Sequence, residues 1–127
     1  MSRIVLDASA ILAVLGREPG AELVLQHVMN TAAGTVNLAE VHSKLVGRGI
    51  PNEDAWGATV SLVHEVFPFD SHQASLVGML TAQTKPFGLS LGDRACLALG
   101  MVLKAPVYTT ERAWKDLKLD IPVHVIR

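Results

Sequence analysis

The chain has 127 residues, 50% of them hydrophobic and 18% charged. That suits a single domain over residues 1–127 with a sizeable core, and it excludes a disordered chain. A formal net charge of −1 excludes a general polyanion binder, so a nucleic-acid partner needs a local basic patch or a metal. The longest apolar stretch, 95–103, is too short to span a bilayer. The opening MSRIVLD carries no signal-peptide pattern, and a lone Cys96 can form no internal disulfide, which together predict a cytoplasmic protein.

In chain order, 3–6 reads as a short buried strand, and 8–15 as a helix stopped by Gly16. Pro19 can open a second helix, with Val24, Leu25 and Val28 on one face. A strand is expected at 34–36. Asn37 follows as a helix cap, with a stripe of Leu38, Val41, Leu45 and Val46. Pro51-Asn52 opens a helix to about His64. A strand at 66–69, a helix from Ser71 or His72 to about Thr84, and a Pro86-Phe87-Gly88 turn come next. Ser90 caps a long apolar helix to about Leu103. A strand at 106–108, a short helix at 111–117 and a strand at 123–126 complete the chain. Alternating strands and helices predict a parallel sheet covered on both faces.

Four acids fall at four of these strand-to-helix junctions: Asp7 after RIVL, Glu40 after GTVNLA, Asp93 after LSLG and Glu111 after VYTT. In an open parallel α/β sheet, residues past the carboxyl ends of strands converge on one edge, where such folds place their sites. Two carboxylates about 5 Å apart at an effective dielectric near 20 repel by roughly 3 kcal/mol. A hard cation removes that cost, and oxygen ligands favour Mg²⁺ or Mn²⁺. The competing reading is helix capping. Asn37-x-x-Glu40 and Ser90-x-x-Asp93 both have the form of a capping box, Asp7 can itself cap the helix that follows, as can Ser9, and Glu111 suits a first turn. Yet Ser9, Asn37, Ser90 and Thr109 or Thr110 are already available as caps, which leaves the acids as extra.

Other chemistries find no support. The five histidines (His27, His42, His64, His72 and His124) lack metal-site spacing, no Ser/His/Asp or Cys/His set is visible, and Gly16, Gly47 and Gly49 fit no phosphate loop. Asp7-Ala8-Ser9 lacks the second Asp of a haloacid-dehalogenase-type phosphatase, and a receiver domain's acidic pair is missing.

The strings IVLDASAILAVL, TVNLAEVHSKL, LSLGDRACLALG and VYTTERAW, in that order, closely resemble the PIN-domain ribonucleases. More narrowly they resemble the VapC-type toxins of type II toxin–antitoxin systems, over essentially the whole chain. The resemblance implies a PIN-like three-layer α/β/α fold with a mostly parallel five-stranded sheet. It also implies an endoribonuclease with an acidic Mg²⁺ (or Mn²⁺) site. Asp7, Glu40 and Asp93 match the core acids and are the expected metal ligands, and Glu111 stands where an Asp is usual. A Glu there adds a methylene, leaving open a direct or a water-mediated contact, with Asp116 one turn on as a fallback ligand or a solvated charge. The implied partners are an RNA substrate, a cognate VapB-like antitoxin and a second copy of the chain in a homodimer.

Metal-activated water would cut the phosphodiester to leave 5′-phosphate and 3′-hydroxyl ends. Arg94 and Arg112 each follow an acid and are expected either at the pocket rim against phosphate or as helix-surface charges. Ser9 and Thr109 are expected to position a ligand or a water, or to cap. Lys44, Arg48, Lys115 and Lys118 read first as scattered surface charges, and second as candidates for an RNA path. Two alternatives stand beside the nuclease: another divalent-metal phosphohydrolase, and a catalytically inactive PIN-like binding module whose acids only cap helices.

Overall fold

A computed structural model describes residues 2–127. Five three- or four-residue strands form one parallel sheet: β1 Ile4–Leu6, β2 Thr31–Gly34, β3 Glu65–Phe67, β4 Val107–Thr109 and β5 Val123–Val125. Their order is β3-β2-β1-β4-β5, every neighbouring pair parallel. The chain therefore leaves β1 toward one side and later returns to its other side, so the topological switch lies between β1 and β4.

Alternation along β1 builds the two halves of the core. Ile4 and Leu6 face one side, where they pack with Ile11 of α1 (Ala8–Leu15) and with Leu38, Val41 and Leu45 of α3 (Thr35–Gly47). Val5 faces the other side, against Cys96, Leu97 and Leu99 of α7 (Leu91–Leu103) and Val77 of α5 (Ser71–Met79). The central strand β1 is covered on both faces and reads as a continuous apolar run, while the edge strands β3 and β5 keep one residue exposed. Gly100 lets α7 approach closely, since a Cβ there would lie 2.7 Å from Val107 Cγ2 and 2.8 Å from Ile121 Cδ1.

Several elements differ from the sequence expectation. The second strand lies at Thr31–Gly34, not 34–36, and α3 starts at Thr35, so Asn37 is a buried residue of its first turn and caps nothing. Thr-Ala-Ala-Gly has weak strand propensity, but all four residues are buried between β1 and β3, and tertiary packing overrides the local preference. The helix expected from Pro19 is only α2, Ala21–Leu25. Of its expected face only Val24 is buried; Leu25 is exposed and Val28 opens a 3₁₀ turn. Val46 is exposed as well.

The next helix, α4 (Asn52–Ser61), stops short of His64. The helix from Ser71 breaks at Leu80, leaving α6 as Thr81–Thr84 before a 3₁₀ turn at Lys85–Phe87. Residues 112–116 form a 3₁₀ turn in place of an α-helix. Among the described residues no helix is long and apolar enough to cross a membrane.

Candidate functional site

At the carboxyl edge, β1 ends in Asp7 and β4 ends in Thr109, directly across the switch. Asp7 is 3% exposed and is itself the N-cap of α1. Of the two caps the sequence offers for α1, Asp7 and Ser9, Asp7 is the one that forms, so this acid is not spare. Three donors converge on the carboxylate. Asp7 Oδ1 accepts from Ala10 N at 2.8 Å and from Ser9 Oγ at 2.7 Å, and Oδ2 accepts from the buried Thr109 hydroxyl at 2.6 Å. Both hydroxyls are oriented in turn by the β4 loop: Thr110 N donates to Ser9 Oγ and Glu111 N to Thr109 Oγ1. Ser9 and Thr109 thus tie the ends of β1 and β4 together through Asp7.

Glu40 comes from the second turn of α3. Asn37, one turn before it, donates from Nδ2 to Glu40 Oε1 at 3.0 Å and to the Gly92 carbonyl at 3.1 Å. Gly92 supplies the space: a Cβ at this position would run into the Glu40 carboxylate. Asp93, the next residue, closes a capping box at the start of α7, its Oδ2 accepting from Ser90 N while Ser90 Oγ accepts from Asp93 N. The box foreseen at Ser90-x-x-Asp93 forms; the one at Asn37-x-x-Glu40 does not.

Asp7, Ser9, Glu40, Asp93, Thr110 and Glu111 line one cavity of about 250 Å³ together with Lys44, Arg48, Glu18 and Arg127. Burial pushes the Asp7 carboxyl up to about 6, against the three hydrogen bonds, with the charge of Asp93 adding to the rise. Glu40 is raised too, first by burial and then by Asp93, while Asn37 and Lys44 oppose the shift. The buried Cys96 thiol is raised well above its ordinary range, by burial and then by the charges of Asp7, Asp93 and Glu40. Three carboxylates therefore feel one another or a common neighbour. Glu111 is exposed and lines the same cavity.

The donor set is all carboxylate oxygen, the chemistry a hard divalent cation takes. Its spacing is open: among the described residues no three His, Cys, Asp or Glu side chains are grouped closely enough to hold a metal ion. Asp7, Glu40 and Asp93 thus fit Mg²⁺ or Mn²⁺ by donor type, around a shared cavity and not as a closed cage.

Of the two places expected for Arg94 and Arg112, the pocket rim and the helix surface, the lining of the cavity includes neither residue. Arg94 donates to Val77 O and Thr81 Oγ1, and Arg112 Nε donates to Arg127 O. Asp116 lies in the 3₁₀ turn, away from the acids and exposed. Sequence reading missed Glu18 and Arg127, which form an ion pair at the cavity across 109 residues of chain. No local pattern could have joined them.

No protein-family model matches the sequence, and no curated protein matches it. Solved structures do match the fold. DNA-bound VapBC from Salmonella typhimurium matches at 15% identity and a TM-score of 0.74, over 98% of each chain. VapBC2 from Rickettsia felis, bound to a DNA fragment from their promoter, matches at 15% identity and a TM-score of 0.72, over 95% of this chain and 96% of that one. VapBC-1 from nontypeable Haemophilus influenzae matches at 18% identity and a TM-score of 0.71, over 95% of this chain and 96% of that one. Likeness at this level of identity speaks for architecture, and with the five-stranded parallel sheet and its flanking helices it shows that the chain has the PIN-domain fold of the VapC-type toxins.

Proposed function

We propose that the protein is a metal-dependent endoribonuclease, the toxin of a toxin–antitoxin pair. The observation that carries this reading is the convergence of Asp7, Glu40 and Asp93, with Glu111 beside them, on one cavity at the topological switch. Caps alone require no such convergence. Nor do they account for a carboxyl buried to 3% exposure with its pKa driven up. Strongly perturbed acids in a cleft are a signature of function.

In this reading Asp7, Asp93 and Glu40 hold Mg²⁺ or Mn²⁺, and Glu111 bounds the site. The bound ion supplies Lewis acidity, activating water and neutralising the charge that develops on the phosphodiester. The protein's own part is preorganisation. Ser9 and Thr109 fix the plane of the Asp7 carboxylate, Asn37 holds Glu40 toward Gly92, and Ser90 anchors Asp93. With water as the nucleophile, the products carry 5′-phosphate and 3′-hydroxyl ends. The partners proposed with this function are a VapB-like antitoxin that covers the cavity and a second copy of the chain.

The test is cleavage of single-stranded RNA by partner-free protein in Mg²⁺ or Mn²⁺. Cleavage abolished by chelator, with 5′-phosphate ends, is the expected result. Intact RNA, together with a melting temperature unmoved by Mn²⁺, would return the acids to capping alone.

A further inference from the structure

The lining of the cavity carries charges of both signs. One wall is α1, through Ala8, Ser9 and Leu12; the other is α3, through Glu40, Lys44 and Arg48. The last three recur every four residues, so they follow one face of the helix to its C-cap, where Arg48 lies. At 1.5 Å per residue, the two cations stand about 6 and 12 Å along the axis from Glu40. Both are exposed, and among the described residues neither makes an ion pair or a side-chain hydrogen bond. The third cation of the cavity, Arg127, is already paired with Glu18. Two positive charges without an ion-pair or hydrogen-bond partner thus run in file from Glu40, Lys44 within reach of its charge and Arg48 beyond it.

We propose that Lys44 and Arg48 are the phosphate-binding track of the site. They hold a single RNA strand along α3 over roughly two to four nucleotides on one side of the cut, at 3.4 Å per stacked nucleotide. Arg127, neutralised by Glu18, takes no part. This rests on the ribonuclease reading and adds the direction and extent of the substrate footprint. Lys44 and Arg48 bind without touching the reacting atoms, so they act on affinity, and the acids act on the chemical step.

The experiment measures binding of a short fluorescein-labelled single-stranded RNA to the wild-type protein in chelator, across a salt series. Lys44→Gln and Arg48→Gln are each expected to lower the slope of log affinity against log salt by about 0.7, the contribution of one phosphate contact on a single strand. Arg127→Gln is expected to leave the slope unchanged. In parallel, metal-dependent cleavage should show a raised KM and an unchanged kcat for the first two variants. An unchanged slope in both, beside robust cleavage by wild type, overturns the track and spares the nuclease. An Arg127→Gln slope equal to that of Lys44→Gln overturns the assignment of two contacts. A lowered slope without any cleavage by wild type supports the track and removes the enzyme.

Discussion

The two edges of the sheet each carry a cavity, and the larger one lies at the edge opposite the acids. At the amino edge a cavity of about 490 Å³ is lined by Arg3, His64, Glu65 and Lys104. Its charges are complementary. Arg3 Nε donates to Glu65 Oε1 at 2.7 Å, and the pair holds Glu65 low and Arg3 high. At the carboxyl edge the cavity is about half that size, yet burial raises Asp7 and Glu40 there, and the charge of Asp93 adds to both rises. One edge is electrostatically satisfied and the other is not. Volume would choose the first edge as the site; the unresolved charge chooses the second.

The largest effect expected at the unsatisfied edge is on chemistry. Asp93→Asn keeps a capping side chain at α7 and removes one ligand charge, so the fold should persist while metal-dependent RNA cleavage drops at least about a hundredfold. Disturbing a ligand's supporting partner alone costs ~10–100-fold. Full cleavage by folded Asp93→Asn protein would break the distinction between the edges. Asp7→Asn should also abolish cleavage, and it has a second signature in stability. The Asp7 carboxyl is raised from 3.8 to about 6 in the fold, so the native state holds its proton more tightly than the unfolded chain does. Ionising it therefore costs stability progressively between these values, and about 3 kcal/mol once both states are ionised. Asparagine keeps the N-cap. Metal-free Asp7→Asn should be more stable than wild type at neutral pH by up to that amount, with the advantage fading as pH falls from about 6 to about 4 and gone below that. A variant less stable at neutral pH would mean that the hydrogen bonds outweigh the buried charge.

A smaller effect is expected where the backbone makes room for an acid. Ala in a helix is ordinarily favoured over Gly by up to about 1 kcal/mol, but at Gly92 the new methyl meets the Glu40 carboxylate. Gly92→Ala should hold its helix content while activity falls about tenfold, and shortening the neighbour, as in Gly92→Ala with Glu40→Asp, should recover part of it. Circular dichroism beside cleavage rates separates the two. Equal rates for wild type and Gly92→Ala would show that the position of Glu40 does not matter.

How far the sequence foretells this depends on the distance over which a residue's role is decided. Asp7 and Asp93 are legible because strand and cap signals lie within three residues of each, and β1, α1 and α7 form where their local patterns predict. β2 is misplaced by three residues because Ala32, Ala33 and Gly34 belong to it through burial alone; Val36, the apparent strand residue, belongs to α3. That shift turns Asn37 from an apparent cap into the residue that holds Glu40 to Gly92, 55 positions away. Thr109 on Asp7 and Glu18 on Arg127 span 102 and 109 positions, and only the parallel crossovers bring them together. Arg94 and Arg112 show the reverse limit: adjacency to an acid in sequence says nothing of direction, because neighbours on a helix point to different faces.

The smallest effects test whether capping and catalysis share Asp93 or compete for it, and whether the amino edge is as idle as its pairing implies. Ser90→Ala removes one half of the capping box and should cost about 1 kcal/mol of stability. Asp93 Oδ2 keeps the Ser90 backbone N–H, which no side-chain change removes, so cleavage should hold within about twofold. A loss as deep as that of Asp93→Asn would mean that the cap itself positions the ligand. At the other edge, Glu65→Gln unpairs an exposed contact, an interaction whose loss is ordinarily hard to detect. Neither melting temperature nor cleavage should move measurably. The two edges would then differ in kind, since charge removal is silent where charges are matched and decisive where they are not. Impaired cleavage in Glu65→Gln would instead bring the larger cavity into the reaction, because that residue lies beyond reach of the acids across the full length of the strands.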